Sequence, residues 1–326
     1  MIAKTLAAMV LLSAAPAAAQ AWTDPATWAS VKAPEATKDV VYLQASGKDL
    51  HLDVYRNTAF EGPRPVLVYV HGGAWWKGEK PAGWGGFRAY LAAGFSVVTV
   101  EYRLTDVARA PAAVQDVRCA LAWVKANAKA YGFDAKRVVP YGTSAGGHLA
   151  LMAGMLPKGN SIDLPACRDQ PKVPAILDFY GPYHLRSDLP GAFKSPSTAR
   201  WLGAGPDAAA LALTMSPASY VRKGQPPVFI VHGDADPTVP YQASLSLKAD
   251  LDKASAISRF HPVPGGVHGK FPKDQQISIE LDALDFLKAG GRGAITPRRA
   301  RPATVARAGV FAFLGFTERA ARRARL

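Results

Sequence analysis

Long apolar segments are missing from this chain of 326 residues beyond its first twenty, and no internal repeat is evident. Its composition, 49% hydrophobic and 20% charged, lacks the bias of collagen, coiled coils or wholesale disorder. Such a balance is ordinary for a globular protein that buries a real core. We therefore expect one large α/β domain or two small ones.

Cysteine is scarce, because the chain has only Cys119 and Cys167. The pair permits one disulfide in an oxidising compartment. Cys119 also falls in a segment with the spacing of an amphipathic helix, 114–128, where a buried free thiol is common. The sequence leaves both alternatives open.

The first twenty-one residues have the layout of a secretory signal peptide. Lys4 supplies the positive end, residues 6–12 form a short apolar run, and small residues at 15–21 offer cleavage after Ala19 or Ala21. The apolar run is too short to cross the roughly 30 Å of hydrocarbon in a bilayer, which disfavours a membrane anchor. We expect a periplasmic or secreted protein.

Acidic residues are outnumbered, with 25 against 39 lysines and arginines and a net charge of +14. Residues 292–326 hold nine arginines and one glutamate, so a net +8 belongs to this end. The arginines are scattered among alanine and proline, which argues against nucleic-acid binding. We expect a solvated, disordered basic tail over 291–326. Weak contact of its apolar run 310–316 with an anionic membrane surface is the alternative.

Strand and helix patterns alternate along the body of the chain. Alternating residues at 40–43 and 50–55, with a turn at 46–49, predict an antiparallel hairpin. The further predicted strands are 65–70, 95–100, 137–141, 175–180, 228–232 and 257–263, and helical patterns lie within 78–93, 111–129, 146–156, 242–253 and 275–289. This order predicts an α/β fold with a mostly parallel twisted sheet, helices on both faces and the hairpin at one edge.

Two segments of the predicted catalytic domain, 22–290, fall outside this alternation. Residues 21–35 are rich in proline, threonine and alanine and resemble a leader. Residues 182–225 are rich in proline, serine and glycine and interrupt the rhythm of strands and helices. The second segment is the natural place for a lid or substrate-binding insertion.

Ser144 is the candidate nucleophile. It lies in Gly-Thr-Ser-Ala-Gly at 142–146, between a predicted strand and a predicted helix. A nucleophile elbow needs this context, because its tight turn requires small residues at Gly142 and Gly146 and leaves the hydroxyl exposed. A serine that caps a helix would occupy the same place without chemistry. The strand–turn–helix setting favours the nucleophile.

A serine hydroxyl needs a base, and the chain has seven histidines. In this type of fold the acid and then the histidine follow the serine, which leaves His184, His232, His261 and His268. His268 lies in the loop 265–269 after the last predicted strand, from where it can reach back over the strand ends. We predict His268 as the base. His232 is expected to support the loop of the acid, and His261 to be a packed or surface residue.

The acid orients the histidine and stabilises its charged form. Asp236 follows a predicted strand by four residues and precedes His268 by 32. Asp234 competes with it, although its position equally suits a turn cap. We predict Asp236 as the third member of the triad.

An oxyanion hole requires backbone N–H groups aimed at the developing negative charge. His-Gly-Gly-Ala-Trp at 71–75 follows a buried strand directly, and glycine lets a backbone approach a substrate closely. We predict the N–H groups of Gly72, Gly73 and Ala145 as donors, with His71 fixing the loop. His148 is expected to point inward from its helix in a structural role.

Aromatic residues flank these motifs. Trp75, Trp76, Tyr180, Tyr183 and Trp201 are candidates to line a pocket for aromatic acyl groups or sugar rings. Packing of the insertion onto the body is the equal alternative for them. Arg103 and Asp116 are candidates for a buried ion pair.

The motifs resemble those of bacterial α/β-hydrolase esterases of the hormone-sensitive-lipase and feruloyl/acetyl-xylan-esterase branches. The matching runs are 71–75, 101–104, 111–123, 142–150, 179–182, 216–220 and 227–240, within a resemblance over about residues 40–289. It implies the Ser144–Asp236–His268 triad, the same oxyanion hole, and no cofactor or metal. Ala74 stands where many relatives carry glycine, so acyl or alcohol preference could differ.

These observations predict an exported serine carboxylic-ester hydrolase that works through an acyl-enzyme. The expected partner is a small acyl ester or a feruloylated or acetylated carbohydrate, and no nucleic acid. A peptidase, an aryl-formamide hydrolase and a non-catalytic hydrolase-like binding protein are the alternatives. Export argues against the formamidase, and a completely filled triad argues against the binding protein. The oligomeric state stays open.

Overall fold

The computed structural model describes residues 24–186, 193 and 195–290. Within these ranges eight strands form one sheet in the order β1-β2-β4-β3-β5-β6-β7-β8. They are β1 (Glu35–Ala45), β2 (Lys48–Arg56), β3 (Arg64–Val70), β4 (Ser96–Val100), β5 (Phe133–Thr143), β6 (Ile176–Phe179), β7 (Val228–Gly233) and β8 (Ser258–Val263). The hairpin β1–β2 joins β4 in antiparallel pairing, and the strands from β4 to β8 run parallel.

Helices cover both faces of the sheet. The described helices are α1 (Pro25–Ala29), α2 (Arg88–Ala92), α3 (Ala112–Ala126), α4 (Ala128–Tyr131), α5 (Ala145–Met155), α6 (Pro196–Leu202), α7 (Ala208–Thr214), α8 (Gln242–Lys253) and α9 (Lys273–Gly290). Apolar residues of α3, α5 and α8 form one core, and those of α1, α2 and α9 form the other. The predicted α/β fold, with its edge hairpin and two-sided helix cover, is confirmed.

Alternation along the strands divides the two cores. In β3, Val66, Val68 and Val70 pack into the core with α3, while Leu67 faces the core with α9. All eleven residues of α5 are buried, so this helix runs through the middle of the molecule directly after the predicted elbow. None of the helices in the described ranges is long and apolar enough to cross a membrane.

The interpretation of residues 21–35 as a leader is wrong for the part that the structure describes. Asp24 caps α1 by accepting a hydrogen bond of 2.9 Å from the Ala26 N–H, and Pro25 begins the helix. Trp28 is only 8% exposed and packs in the core beside α2. A helix of five residues is too short to show a 3.6-residue period, so composition was the only signal available.

Two of the pairings considered from the sequence are formed. A disulfide joins Cys119 on α3 to Cys167 in a 3₁₀ turn, with Cα atoms 4.8 Å apart. Arg103 and Asp116 form a buried ion pair, with Nη2 and Oδ1 2.6 Å apart.

The predicted signal peptide and basic tail lie outside the described residues. The predicted insertion contains α6 and α7. These helices are too short to show a clear helical period, and the composition of the segment is typical of a loop.

Candidate active site

The turn between β5 and α5 has the geometry of a nucleophile elbow. Ser144 has φ 56° and ψ −123°, a conformation that non-glycine residues rarely adopt. A Cβ on Gly142 would lie 2.0 Å from the Gly146 carbonyl oxygen, and one on Gly146 would lie 2.1 Å from the Val70 carbonyl oxygen. Only glycine fits at both positions. The Ser144 side chain makes no capping hydrogen bond, which leaves its hydroxyl for other partners.

Three side chains from the ends of different strands meet at this turn. Ser144 Oγ lies 2.9 Å from His268 Nε2, and His268 Nδ1 lies 2.7 Å from Asp236 Oδ2. Because a carboxylate only accepts hydrogen bonds, Nδ1 carries the proton and Nε2 faces the hydroxyl with its lone pair. The structure thus brings together the three residues that the sequence suggested.

The Asp236 carboxylate is fully buried and surrounded by donors. The backbone N–H groups of Thr238 and Val239 donate to Oδ1 at 2.7 and 3.0 Å, and His232 Nε2 lies 3.2 Å from Oδ2. Burial alone would raise the pKa of Asp236, but the hydrogen bonds from His232, His268 and these amides outweigh it and hold the pKa well below its usual range. The carboxylate therefore stays ionised beside His268.

His232 and Asp234 serve the loop that carries Asp236. His232 Nε2 also contacts the Val239 carbonyl oxygen at 3.1 Å, and its Nδ1 lies 2.7 Å from Ser244 Oγ. Asp234 accepts a hydrogen bond of 2.7 Å from the Gly265 N–H, so it fastens the two loops together and does not contact His268.

Tyr180 lies against the imidazole of His268. The two ring centres are 4.8 Å apart in an edge-on arrangement, and the tyrosine is 9% exposed. Its φ of 46° is unusual for a bulky residue, and its N–H donates to the Val231 carbonyl oxygen at 2.7 Å. A Cβ on Gly269 would lie 2.7 Å from the Tyr180 hydroxyl. Tyr180, considered as a pocket residue, mainly supports the histidine loop.

The loop at 71–75 presents its backbone N–H groups in a fixed orientation. The Tyr102 hydroxyl donates to the His71 carbonyl oxygen at 3.1 Å, and His71 Nδ1 lies 2.7 Å from the Gly72 carbonyl oxygen. In a trans peptide the N–H points away from the C=O, so the N–H groups of Gly72 and Gly73 are turned from these contacts. Neither N–H donates a hydrogen bond within the described part of the chain.

Close backbone approaches account for both glycines of this loop, with the elbow at Gly72 and within the loop itself at Gly73. A Cβ on Gly72 would lie 3.2 Å from the Ser144 Cβ, and one on Gly73 would lie 1.8 Å from the Lys77 carbonyl oxygen. The Ala145 N–H is the first of α5 and has no helical partner. Gly72 and Ala145, two of the three predicted donors, therefore border Ser144, and Gly73 follows Gly72 directly in the loop.

Trp75 and Trp201 do not line an open pocket, which corrects their interpretation as substrate contacts. Both are fully buried and stack on each other, with ring centres 4.8 Å apart. Trp75 Nε1 donates to His148 Nδ1 at 3.2 Å, and His148 Nε2 donates to the Met215 carbonyl oxygen at 2.7 Å. Burial lowers the pKa of His148 to about 4, so the ring is neutral. It joins the loop at 71–77, which we call the oxyanion loop, to the predicted insertion at 182–225. Trp76 stays partly exposed.

Tyr183 is among the aromatic residues considered for the pocket, whereas Asp178 was not identified as a site residue from the sequence. Tyr183 is fully buried and donates to Asp250 Oδ2 at 2.7 Å, so it is a packing residue. Asp178 on β6 is buried beneath the elbow, where its Oδ1 accepts from the Gly181 N–H at 3.1 Å, and burial raises its pKa to about 7. A charged residue inside an apolar strand pattern was the signal that could have identified Asp178.

A family model described as BD-FAE matches residues 52–251, more than half of the chain. The chain belongs to the BD-FAE family. In this BD-FAE chain the matched range holds the elbow and Asp236, while His268 lies beyond it.

Relatives of this BD-FAE protein include esterases of Mycobacterium tuberculosis. Esterase LipQ is 30% identical over 71% of this chain and 56% of its own length, and carboxylesterase NlhH is 28% identical over 77% and 79%. The chain spans about half the length of the first curated relatives that it matches.

Two solved structures share the fold of the BD-FAE chain. A carbohydrate esterase from gut microbiota, in truncated form, superposes with a TM-score of 0.69 at 28% identity, over 80% of this chain and 98% of its own. Esterase 2 of Thermogutta terrifontis, phosphonylated by sarin, superposes with a TM-score of 0.67 at 26% identity, over 80% of this chain and 96% of its own.

Among the described residues, no group of three or more His, Cys, Asp or Glu side chains could hold a metal ion.

Proposed function

We propose that this protein is a serine carboxylic-ester hydrolase that works through an acyl-enzyme. The observation that carries the proposal is the continuous contact from Asp236 through His268 to Ser144, at 2.7 and 2.9 Å. In this arrangement the acid orients the histidine, and the histidine makes the serine hydroxyl nucleophilic by accepting its proton. The esterase names of the mycobacterial relatives and of both structural neighbours support the same activity.

The mechanism follows from the positions of the groups. His268 Nε2 accepts the hydroxyl proton as Ser144 Oγ attacks the ester carbonyl, and the Asp236 carboxylate stabilises the imidazolium that forms. The N–H groups of Gly72, Gly73 and Ala145 hold the oxyanion. The imidazolium then gives its proton to the leaving alcohol. Water repeats the cycle at the acyl-enzyme and releases the acid.

The proposed substrates are small acyl esters, or acetyl and feruloyl esters of carbohydrates. The structural neighbour described as a carbohydrate esterase supports this class. A second neighbour, a bifunctional GH43-CE protein of Bacteroides eggerthii, is matched over 38% of its chain at 28% identity and a TM-score of 0.67. In this mechanism the N–H groups of the glycine loop bind only the ester carbonyl oxygen. The mechanism therefore applies equally to acetyl and feruloyl esters.

Replacing Ser144 tests the activity. We expect Ser144→Ala to lower kcat/KM for 4-nitrophenyl acetate by about 10⁴-fold or more, because only the oxyanion hole and substrate binding remain. A fluorophosphonate probe should label the wild-type protein and not this variant. Ser219→Ala, which removes an exposed hydroxyl away from the elbow, is the matched control. Near-normal hydrolysis by Ser144→Ala would overturn the proposal.

We also propose that the protein is exported, to the periplasm or beyond. The signal-peptide pattern of residues 1–21 supports this location. The disulfide between Cys119 and Cys167 supports it independently, since disulfides persist in oxidising compartments.

A further inference from the structure

Two cations lie over the one tryptophan of the oxyanion loop that remains partly exposed. Lys77 Nζ is 5.1 Å and Arg200 Cζ is 4.9 Å from the centre of the Trp76 ring. Both cations are exposed, and attraction to the ring face holds each in place. The two charged groups are at most about 10 Å apart, which is the sum of these distances.

Arg109 adds a third cation at the end of α6. Its Nη1 would lie 3.1 Å from a Cβ on Gly203, the residue that ends α6. Gly203 follows Arg200 by three residues, so Arg109 contacts the last turn of the helix that carries Arg200. The neighbouring Ala110 N–H donates to the Trp201 carbonyl oxygen at 3.0 Å, which ties this loop to α6. We call Lys77, Arg109 and Arg200 the basic rim.

The basic rim sits where the insertion meets the oxyanion loop. The N–H groups of Trp76 and Lys77 both donate to the Gly73 carbonyl oxygen, at 3.2 and 3.1 Å, so they belong to the turn that presents a predicted oxyanion donor. Consecutive residues of α6 pair with consecutive residues of this loop. Trp201 stacks on Trp75, and Arg200 covers Trp76. The backbone that carries Lys77 and Arg200 is therefore tied to the loop that carries Gly73.

No carboxylate neutralises the basic rim within the part of the chain that the structure describes. Glu79 and Asp106 are exposed acids close in sequence, yet neither forms an ion pair with a rim cation. Lys80, only three residues after Lys77, is by contrast bound to Asp39 and Asp53 at 2.7 and 2.9 Å. Like charges on neighbouring elements repel one another, and an anion bound among the three would be attracted by each of them.

We propose that the basic rim is an anion subsite of the substrate-binding site, which takes a carboxylate carried by the ester. This inference rests on the proposed esterase function and names its substrate class more closely. The carboxylate has two possible sources with the same chemistry. It lies on the acyl group, as in a half-ester of a dicarboxylic acid, or on the alcohol, as in an acylated uronic acid sugar.

Two matched pairs of esters separate these sources. For the acyl side, 4-nitrophenyl hemisuccinate is compared with 4-nitrophenyl butyrate, which differs in the terminal carboxylate. For the alcohol side, an acetylated methyl glucuronoside is compared with the acetylated methyl glucoside. The measured quantity is the ratio of kcat/KM for the anionic ester to that for its neutral partner. Because both values come from one protein sample, partial loss of folding cancels in the ratio.

Neutralising the basic rim should lower this ratio. We expect the triple variant Lys77→Gln, Arg109→Gln, Arg200→Gln to reduce it about tenfold for one of the two pairs, which identifies the side of the ester that carries the charge. The wild-type ratio for that pair should also fall as salt rises from about 0.05 to about 0.5 M.

The control removes the same net charge elsewhere. Lys136, Lys223 and Lys253 are exposed near the starts of β5, β7 and β8, at the end of the sheet opposite to Ser144. Changing all three to Gln should leave both ratios as in the wild type. Ratios that are the same in the rim variant and the wild type, for both ester pairs, overturn the subsite alone. Failure of the wild type to hydrolyse the neutral esters contradicts the esterase function and the subsite together.

Discussion

Single hydrogen bonds decide how the oxyanion loop presents its amides. The Tyr102 ring stacks on His71 at 4.3 Å and its hydroxyl donates to the His71 carbonyl oxygen. Burial lowers the pKa of His71, so its ring is neutral and keeps Nδ1 directed at the Gly72 carbonyl oxygen. Tyr102 and His71, which are outside the triad, thus orient the two peptide groups that carry the N–H groups of Gly72 and Gly73.

Loss of the Tyr102 hydroxyl should affect the transition state more than substrate binding. We expect Tyr102→Phe to lower kcat about tenfold with little change in KM, since loss of a whole oxyanion donor costs about 10²- to 10³-fold and here a donor is only loosened. Steady-state kinetics with 4-nitrophenyl acetate measures the split. Tyr220→Phe loses a comparable bond to the Thr214 carbonyl oxygen, at 2.8 Å, and serves as the control. A rise in KM at constant kcat would contradict this role.

At the scale of elements, α9 carries an acid, Glu280, whose carboxylate oxygen Oε2 is buried beside the core that α9 shares with α2. Glu280 lies next to the Tyr90 phenol, and its Oε2 has no hydrogen-bond partner among the described residues. Burial raises the pKa of Glu280 to about 7 from an ordinary value of 4.5. Docking of α9 is therefore coupled to protonation of this side chain.

This coupling has a defined sign. Between about pH 4.5 and about pH 7 the folded protein binds more protons at Glu280 than the unfolded chain, so the free energy of unfolding falls as the pH rises through this window. Glu280→Gln should remove this part of the pH dependence. Between pH 4 and pH 8 the free energy of unfolding of the variant should rise relative to that of the wild type by on the order of 3 kcal/mol.

Urea unfolding at several pH values measures that difference, and subtraction of the two proteins cancels the contributions of Asp178 and His148. Glu79→Gln, which changes an exposed acid, should leave the wild-type profile unaltered. If the free energies of unfolding of Glu280→Gln and the wild type differ by the same amount at every pH in this window, the proposed coupling is contradicted.

The elements also show which parts of the fold the sequence could predict. Helix α8 was predicted with the bounds that the structure has, 242–253, because twelve residues are enough for a clear apolar period. Helices α1, α6 and α7 have five to seven residues and were not predicted. Their formation depends on packing, as for Trp28 in the core, which local spacing does not reveal.

The same distinction applies within the candidate site. The motifs around Ser144 and Gly72 are local, so spacing alone identified them as candidates. Burial of Trp75 depends on Trp201, a partner 126 residues away in the chain, and this contact could not be read from either neighbourhood. Long-range packing is thus what turned two expected pocket residues into support for a loop.

At the scale of the whole molecule, export and the disulfide make a joint prediction. Protein recovered from the periplasmic or culture fraction should begin after Ala19 or Ala21, as measured by intact mass or N-terminal sequencing. Its two cysteines should resist alkylation until a reductant is added. Protein that stays in the cytoplasm with its first residues intact and with reactive thiols would contradict the proposed location.

The bridge between Cys119 and Cys167 has a consequence for damage to the backbone. Ser144 lies between the two cysteines, so the covalent ring includes the elbow. A protease that cuts once inside this ring, for example at the exposed turn around Lys158, opens the chain without releasing either fragment. Each fragment then remains at a high effective concentration beside the other. A nicked molecule therefore stays a single species until it meets a reductant.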